Sequence, residues 1–431
     1  MSRLNEPTNE ASAMQKEISA IAEQGGGRAT KVEQLIQQYC PDGVEYKKLG
    51  DVCDIKGRIG FRGYTRQDLV EEADGAITLS PSNIINQELN YEDCSYISWA
   101  KYEESPEIKV AVGDVIFTKT ASVGKTALVK YLPKEATINP QLVVLKNIQC
   151  NSAFLAYVLK TYRFQKEVAK LQGVGSVPNI SQTSLSGITI PIPPLPVQEE
   201  IVRILDSFTE LQAELQAELQ KRLQQYNYYR DNLLSFEGRN DVEWKKLGEI
   251  GKVCMCKRIL KDQTSSTGDI PFFKIGTFGG SADAYISKEL FEEYVKKYSY
   301  PKKGDILISA AGTIGRTVVF DGTPSYFQDS NIVWLKHDES VVLNSYLRYI
   351  YSLNPWAIST GGTIARLYND NILNAVIPVP SLEEQQKIVD ILDRFDTLTT
   401  DITAGLPAEI EARRKQYEYY RDQLLTFKQK A

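Results

Sequence analysis

Apolar side chains recur at helical spacing over two long stretches of this chain, one in its middle and one at its end. From about Val197 to Phe236 they fall at Ile201, Leu205, Phe208, Leu211, Leu215, Leu219, Tyr226, Tyr229 and Leu233. From about Leu382 to Phe427 they fall at Ile388, Leu392, Phe395, Leu398, Ile402, Ile410, Tyr417, Tyr420 and Leu424. That spacing predicts two amphipathic helices, each carrying a seam that fits another helix. At 1.5 Å per residue, roughly 40 residues span about 60 Å, more than one small domain covers. Gly405-Leu406-Pro407 predicts a break in the second helix. The economical arrangement is an antiparallel pair holding a domain at either end, because two independent linkers would leave both seams in water.

Short apolar runs broken by Gly, Pro and Asn precede each helix and predict strands. They are AITLS, DVIFTKT, TALVKYL and LVVLK in the first half, and FFKIG, DILISA, TVVFDG and NIVWLK in the second. Asn151 is placed to cap a helix reaching about Leu171, with Phe154, Val158 and Tyr162 on one face; Asn344 is placed to cap its counterpart. The prolines of IPIPPLP and IPVP then reset the chain before each long helix. The expected class is α+β: two mixed domains separated by two long antiparallel helices in a coiled coil. The boundaries read as an extension over 1–30, a first domain over 31–190, a helical region over 191–238, a second domain over 239–377 and a helical region over 378–431. Residues 31–43 predict a brief helix closed by Pro41.

The halves are also alike in letters. QYNYYRDNLLSF (225–236) and QYEYYRDQLLTF (416–427) agree at 9 of 12 positions. VEYKKLG (44–50) repeats as VEWKKLG (242–248), and IPIPPLPVQEEIVRIL as IPVPSLEEQQKIVDIL. A two-fold repeat on one chain is a pseudo-dimer, suited to a target with two sites.

Charge narrows the possible partners. The net charge of −5 averages over unlike regions, since residues 44–66 hold six Lys or Arg and 242–261 hold another six. A basic segment at the same place in each half is what a local phosphate-binding face requires. The single histidine, His337, follows a strand-like run, so histidine-based triads and metal sites are not expected. Six scattered cysteines without a CxxC pair, and no signal-like or membrane-length apolar run, fit reduced thiols in a cytoplasmic protein. SVGKT (122–126) lacks the first glycine of a phosphate-binding loop, and TIGRT (313–317) carries Arg at the lysine position. Both read as tight turns whose Lys125 or Arg316 can meet a DNA backbone. Asn139-Pro140-Gln141 and Asn354-Pro355-Trp356 lack the second proline of an amino-methyltransferase motif, so no methyl donor is expected here.

The loops diverge where the helices agree: compare KGRIGFRGYTRQ with KRILKDQTSSTG, and GVGSVPNIS with GGTIARLYND. Matched scaffold with unmatched loops suggests two reading surfaces of different specificity.

Together the CPDGVEYKKLG opening, the paired GDVIFTKTASVGK and GDILISAAGTIGR, the proline junctions and the YYRD helix ends resemble the specificity subunit of type I restriction–modification systems. The resemblance runs from about Lys31 to the end. It implies two target recognition domains, each reading half of a bipartite DNA sequence, and a coiled coil acting as a ruler between them. It further implies docking of two methyltransferase subunits that bind S-adenosylmethionine, and of restriction subunits, with no catalysis by this chain. The DNA-contacting candidates are Arg58, Arg62, Lys119, Lys125, Ser176 and Asn179, then Lys257, Arg258, Lys274, Arg316, Thr363 and Arg366. Tyr228, Tyr229, Tyr419 and Tyr420 can close the helix pair or meet a partner. The rival reading is a coiled-coil scaffold without DNA specificity.

Overall fold

In the computed structural model the described residues are 31–58, 63–173, 177–357, 366–400 and 405–430. The chain divides into two units, one comprising the residues up to Leu215 together with those from Ile410 on, the other Gln216–Glu409.

Each unit is built on a four-stranded antiparallel sheet of one topology. In the first, the strands lie in the order Asp54–Gly57, Leu142–Lys146, Val115–Thr118, Thr126–Leu128; in the second, Lys252–Met255, Ile332–Lys336, Ile306–Ser309, Thr317–Val319. The central strands are apolar at consecutive positions because both faces of the sheet are covered. Val115, Phe117, Val143 and Leu145 face the helix Ser152–Lys160, while Ile116, Leu142 and Val144 face a second sheet through Ile77, Leu79 and Ile138. The other unit repeats the division, with Ile306, Ile308, Val333 and Leu335 on one side and Leu307, Ile332 and Trp334 on the other. That second sheet has four strands in the first unit and three in the second.

The repeated opening and the proline junction turn out to be partners. Glu45–Lys48 pairs antiparallel with Thr189–Ile192, and Glu243–Lys246 with Val376–Val379, Tyr46 lying opposite Pro191 and Trp244 opposite Pro378. A two-stranded ladder tolerates the prolines because each strand has a free edge.

The first long helix runs unbroken over Leu195–Ser235, and the second is split into Leu382–Thr400 and Leu406–Leu424. The interruption lies beside the Gly-Leu-Pro segment. In the first unit Phe208 stacks on Tyr420 with ring centroids 5.8 Å apart and meets Tyr417 at 6.4 Å. In the second, Phe395 stacks on Tyr229 at 5.5 Å and meets Tyr226 at 6.4 Å. Helix therefore packs on helix within each unit, through one repeated aromatic contact.

Asn151 caps its helix as expected, accepting from the Phe154 amide at 3.0 Å, but the extent of that helix and the start of its counterpart are corrected. The stretch after Asn151 is two helices, Ser152–Lys160 and Tyr162–Leu171, because the Thr161 hydroxyl accepts from the Phe164 amide and caps the second one. Tyr162 is thereby turned outward and is exposed. Asn344 is the first residue of its helix, not the cap, and its amide donates to the Glu339 carboxylate. His337 follows its strand and contacts the Leu335 and Val342 carbonyl oxygens through its two ring nitrogens.

The proline junctions are locked by a buried glutamine. Gln198 accepts from the Asn151 amide (2.9 Å) and donates to the Pro193 carbonyl (2.7 Å). Gln385 accepts from Leu343 (2.9 Å) and donates to the carbonyls of Val341 (2.9 Å) and Pro380 (2.8 Å). Each ties the start of a long helix to the first turn of a domain helix.

Candidate nucleic-acid interface

The repeated GD segments build the same turn system in both domains. Gly113 and Gly304 hold φ of +93° and +95°, a region open to glycine at no steric cost. The next residues, Asp114 and Asp305, accept from the amides of Ala111 and Lys302 at 2.9 and 2.8 Å. The hairpins that follow close at Gly124 and Gly315, whose amides donate to Thr118 (3.0 Å) and Ser309 (2.9 Å). SVGKT and TIGRT are therefore strand-to-strand turns.

Two further segments converge on each hairpin. In the first domain the Lys119 amide donates to the Gln141 carbonyl and the Lys119 carbonyl accepts from Ile180, both at 2.9 Å. In the second, the Ala310 amide donates to Asn331 at 2.7 Å and its carbonyl accepts from Leu367 at 2.9 Å. Three stretches thus meet at one edge of each sheet: the hairpin, the loop before the long central strand, and the segment after the domain helices.

The candidates fall into distinct environments. Lys119, Lys125 and Asn179 gather at the first of these edges, where Lys119 is half-buried, Lys125 and Asn179 are exposed, and Asn179 bridges Thr120. The Lys125 ammonium donates to the carbonyls of Pro81 (3.3 Å) and Ile84 (3.4 Å). Arg58 needs correcting as a surface contact: it is 5% exposed, donates to the Ile138 carbonyl and the Thr137 hydroxyl, and lies over the Tyr64 ring. Burial pulls its pKa below the ordinary range, against the opposing pull of Tyr64, Glu104, Glu107 and Asp68. Its guanidinium ties the end of strand Asp54–Gly57 to Thr137 and Ile138. Arg62, Ser176 and Thr363 lie outside the described residues.

In the second domain, Arg366 donates from one terminal nitrogen to the Ser330 carbonyl (2.9 Å) and the Asn331 side chain (3.2 Å). Arg258, exposed at the end of its strand, pairs with Asp329 of the same loop at 3.0 Å. Arg316 and Lys274 occupy a neighbouring group, Arg316 donating to the Gly279 carbonyl and Lys274 pairing with Asp283. Lys257 is exposed, 5.3 Å from the Tyr298 ring centroid. Several cations of this face are thus balanced internally, so exposed charge alone gives it less attraction for phosphate than the letters suggest.

The tyrosine pairs separate by role. Tyr229 and Tyr420 stack on Phe395 and Phe208, Tyr229 with 40% of its surface still exposed, whereas Tyr228 and Tyr419 are 66% and 59% exposed without such a stack. The two pairs share one geometry, with centroids 5.6 Å apart at 73° for Tyr228–Tyr229 and 5.4 Å at 72° for Tyr419–Tyr420. Tyr419 also lines an open cleft of about 1010 Å³ with Lys160, Tyr162 and Lys415. The residues that sequence reasoning missed are those of the loop before the central strand, Gln141, Asp329 and Asn331. Their only signal was position, just ahead of an apolar run.

Residues 41–225 and 239–412 each match the family model described as the type I restriction modification DNA specificity domain. A chain of Haemophilus influenzae, provisionally named a type I restriction enzyme specificity subunit, is 57% identical over 290 residues, which is 64% of this chain and 72% of the relative. The type I restriction enzyme EcoR124I/EcoR124II specificity subunit of Escherichia coli is 40% identical over 269 residues, 58% of this chain and 65% of the relative. A solved structure described as the “Structural basis underlying complex assembly and conformational transition of the type I R-M system” shares the fold. It has a TM-score of 0.57 at 18% identity, covering 89% of this chain and 97% of that one. With two copies of the domain spanning most of its length, the chain belongs to the type I restriction modification DNA specificity domain family.

Proposed function

We propose that this chain is the sequence-reading subunit of a type I restriction–modification assembly, each domain reading one half of a bipartite duplex target. The observation that carries the reading is the three-segment edge, built in both domains by matching backbone hydrogen bonds and lined by unlike side chains. Equal backbones give equal docking on the duplex; unlike side chains give different base contacts. The chain performs no chemistry itself. It directs methyltransferase subunits, which carry S-adenosylmethionine, and restriction subunits to the site. Tyr228 and Tyr419, exposed in the same geometry, suit two copies of one partner.

The test is a salt titration on the full chain with mixed-sequence duplex. Affinity should fall about a thousandfold between roughly 50 and 200 mM salt, because bound phosphates release counterions. No binding at the lowest salt would refute the reading. The long helices acting as a ruler give a second expectation. Inserting one heptad into each adds about 10 Å. The two recognised half-sites should move apart by roughly three base pairs at 3.4 Å each while keeping their bases. An unchanged spacing excludes the ruler.

A further inference from the structure

Counted back without a gap from the repeated IPIP and IPVP junctions, which begin at Ile190 and Ile377, Asn179 and Arg366 correspond, and the backbone puts them at the same point although the letters around them differ. Each immediately precedes the residue, Ile180 or Leu367, whose amide donates to the first hairpin residue, Lys119 or Ala310, at 2.9 Å. In both domains that hairpin residue donates its own amide to the loop ahead of the central strand, at Gln141 or Asn331. In both, a short helix follows, Gln182–Ser186 or Asn369–Leu373. The position is thus defined by three shared features of the fold, and it lies on the edge proposed above to face DNA.

The two side chains differ in a way that matters for base edges. Asn179 is exposed, and its carboxamide has no hydrogen-bond partner among the described residues, leaving a donor and an acceptor side by side. Arg366 is half-buried and anchored by one terminal nitrogen to Ser330 and Asn331. Its other N–H groups remain on a fork whose direction is already fixed, which lowers the entropy lost on binding. A carboxamide matches N6 and N7 of adenine, and a guanidinium matches O6 and N7 of guanine.

We propose that Asn179 and Arg366 are the same base-reading position in the two domains, selecting adenine in one half-site and guanine in the other. The proposal rests on the DNA-reading function above and is separable from it. The full chain would be incubated with a randomised duplex library at fixed salt, and the retained sequences read for the wild type and variants. The Asn179→Arg change should move a single base of one half-site from adenine to guanine by about tenfold, leaving the other half-site as it was. Arg366→Asn should do the reverse in the other half-site. Asn179→Ala should erase the preference at that same base, which tests the position without adding bulk. Arg366→Lys keeps the charge and loses the fork, so it should weaken guanine selection without replacing it by another base, while the salt dependence stays. Unchanged base preferences, or a uniform weakening across all sequences, would overturn the assignment while leaving the DNA-reading function intact. A wild-type chain that retains no preferred sequence would overturn both.

Discussion

Phe208→Ala should cost about 3–5 kcal/mol of stability, the range for removing a large aromatic from a closed core. Phe208 is 2% exposed and is the ring on which Tyr420 stacks and against which Tyr417 leans. It also joins Val197, Ile201 and Leu205 to Leu425 and Phe427 in one apolar cluster. The truncation therefore removes the contact that holds the last helix, Leu406–Leu424, against the first domain. Urea unfolding should show the loss, and hydrogen exchange over 410–424 should rise before the rest of the unit opens. The counterpart Phe395 makes the same stack on Tyr229 but keeps part of its surface in water. Phe395→Ala should thus cost less. Equal costs for the two would show that the repeated stack, not burial, sets the energy.

Replacing Gln385 by Leu should destabilise the second unit by roughly 2–5 kcal/mol, because buried polar groups left unpaired cost about 1–3 kcal/mol each. Gln385 is fully buried and satisfies one amide and two carbonyls, on Leu343, Val341 and Pro380. Leucine fills the space and answers none of them. Gln198 satisfies one amide and one carbonyl in the first unit, so Gln198→Leu should cost less. Thermal unfolding of the two variants checks both size and order. A neutral Gln385→Leu would mean that water reaches these groups.

The scaffold was legible because its cause is local and repeated. Apolar spacing located both long helices to within a few residues, and Gly405-Leu406-Pro407 marked where the second one is split. Short apolar runs located the central strands. The cap at Asn151 was legible but the length of its helix was not, because Thr161 is a tolerable helix residue by propensity and becomes a cap only when its hydroxyl meets the Phe164 amide. Arg58 was misread for a related reason: an arginine in a basic segment looks solvated until folding brings Thr137 and Ile138 to it, some 80 residues away. Gln198 and Gln385 were visible as repeated letters, but their task depends on backbone groups of distant segments.

By itself the sequence determined that this is a duplicated chain, with a matched frame of strand, junction and helix and with unmatched loops, since periodicity and repetition are properties of neighbouring residues. Only the tertiary structure decided which loop residues share a surface, because that depends on hydrogen bonds between segments far apart in sequence. Those bonds carried Asn179 and Arg366, already matched by their distance from the proline junctions, onto the surface beside each hairpin, and folding put Arg58 inside and stacked Tyr229 and Tyr420 on the helix pairs while Tyr228 and Tyr419 stayed outward.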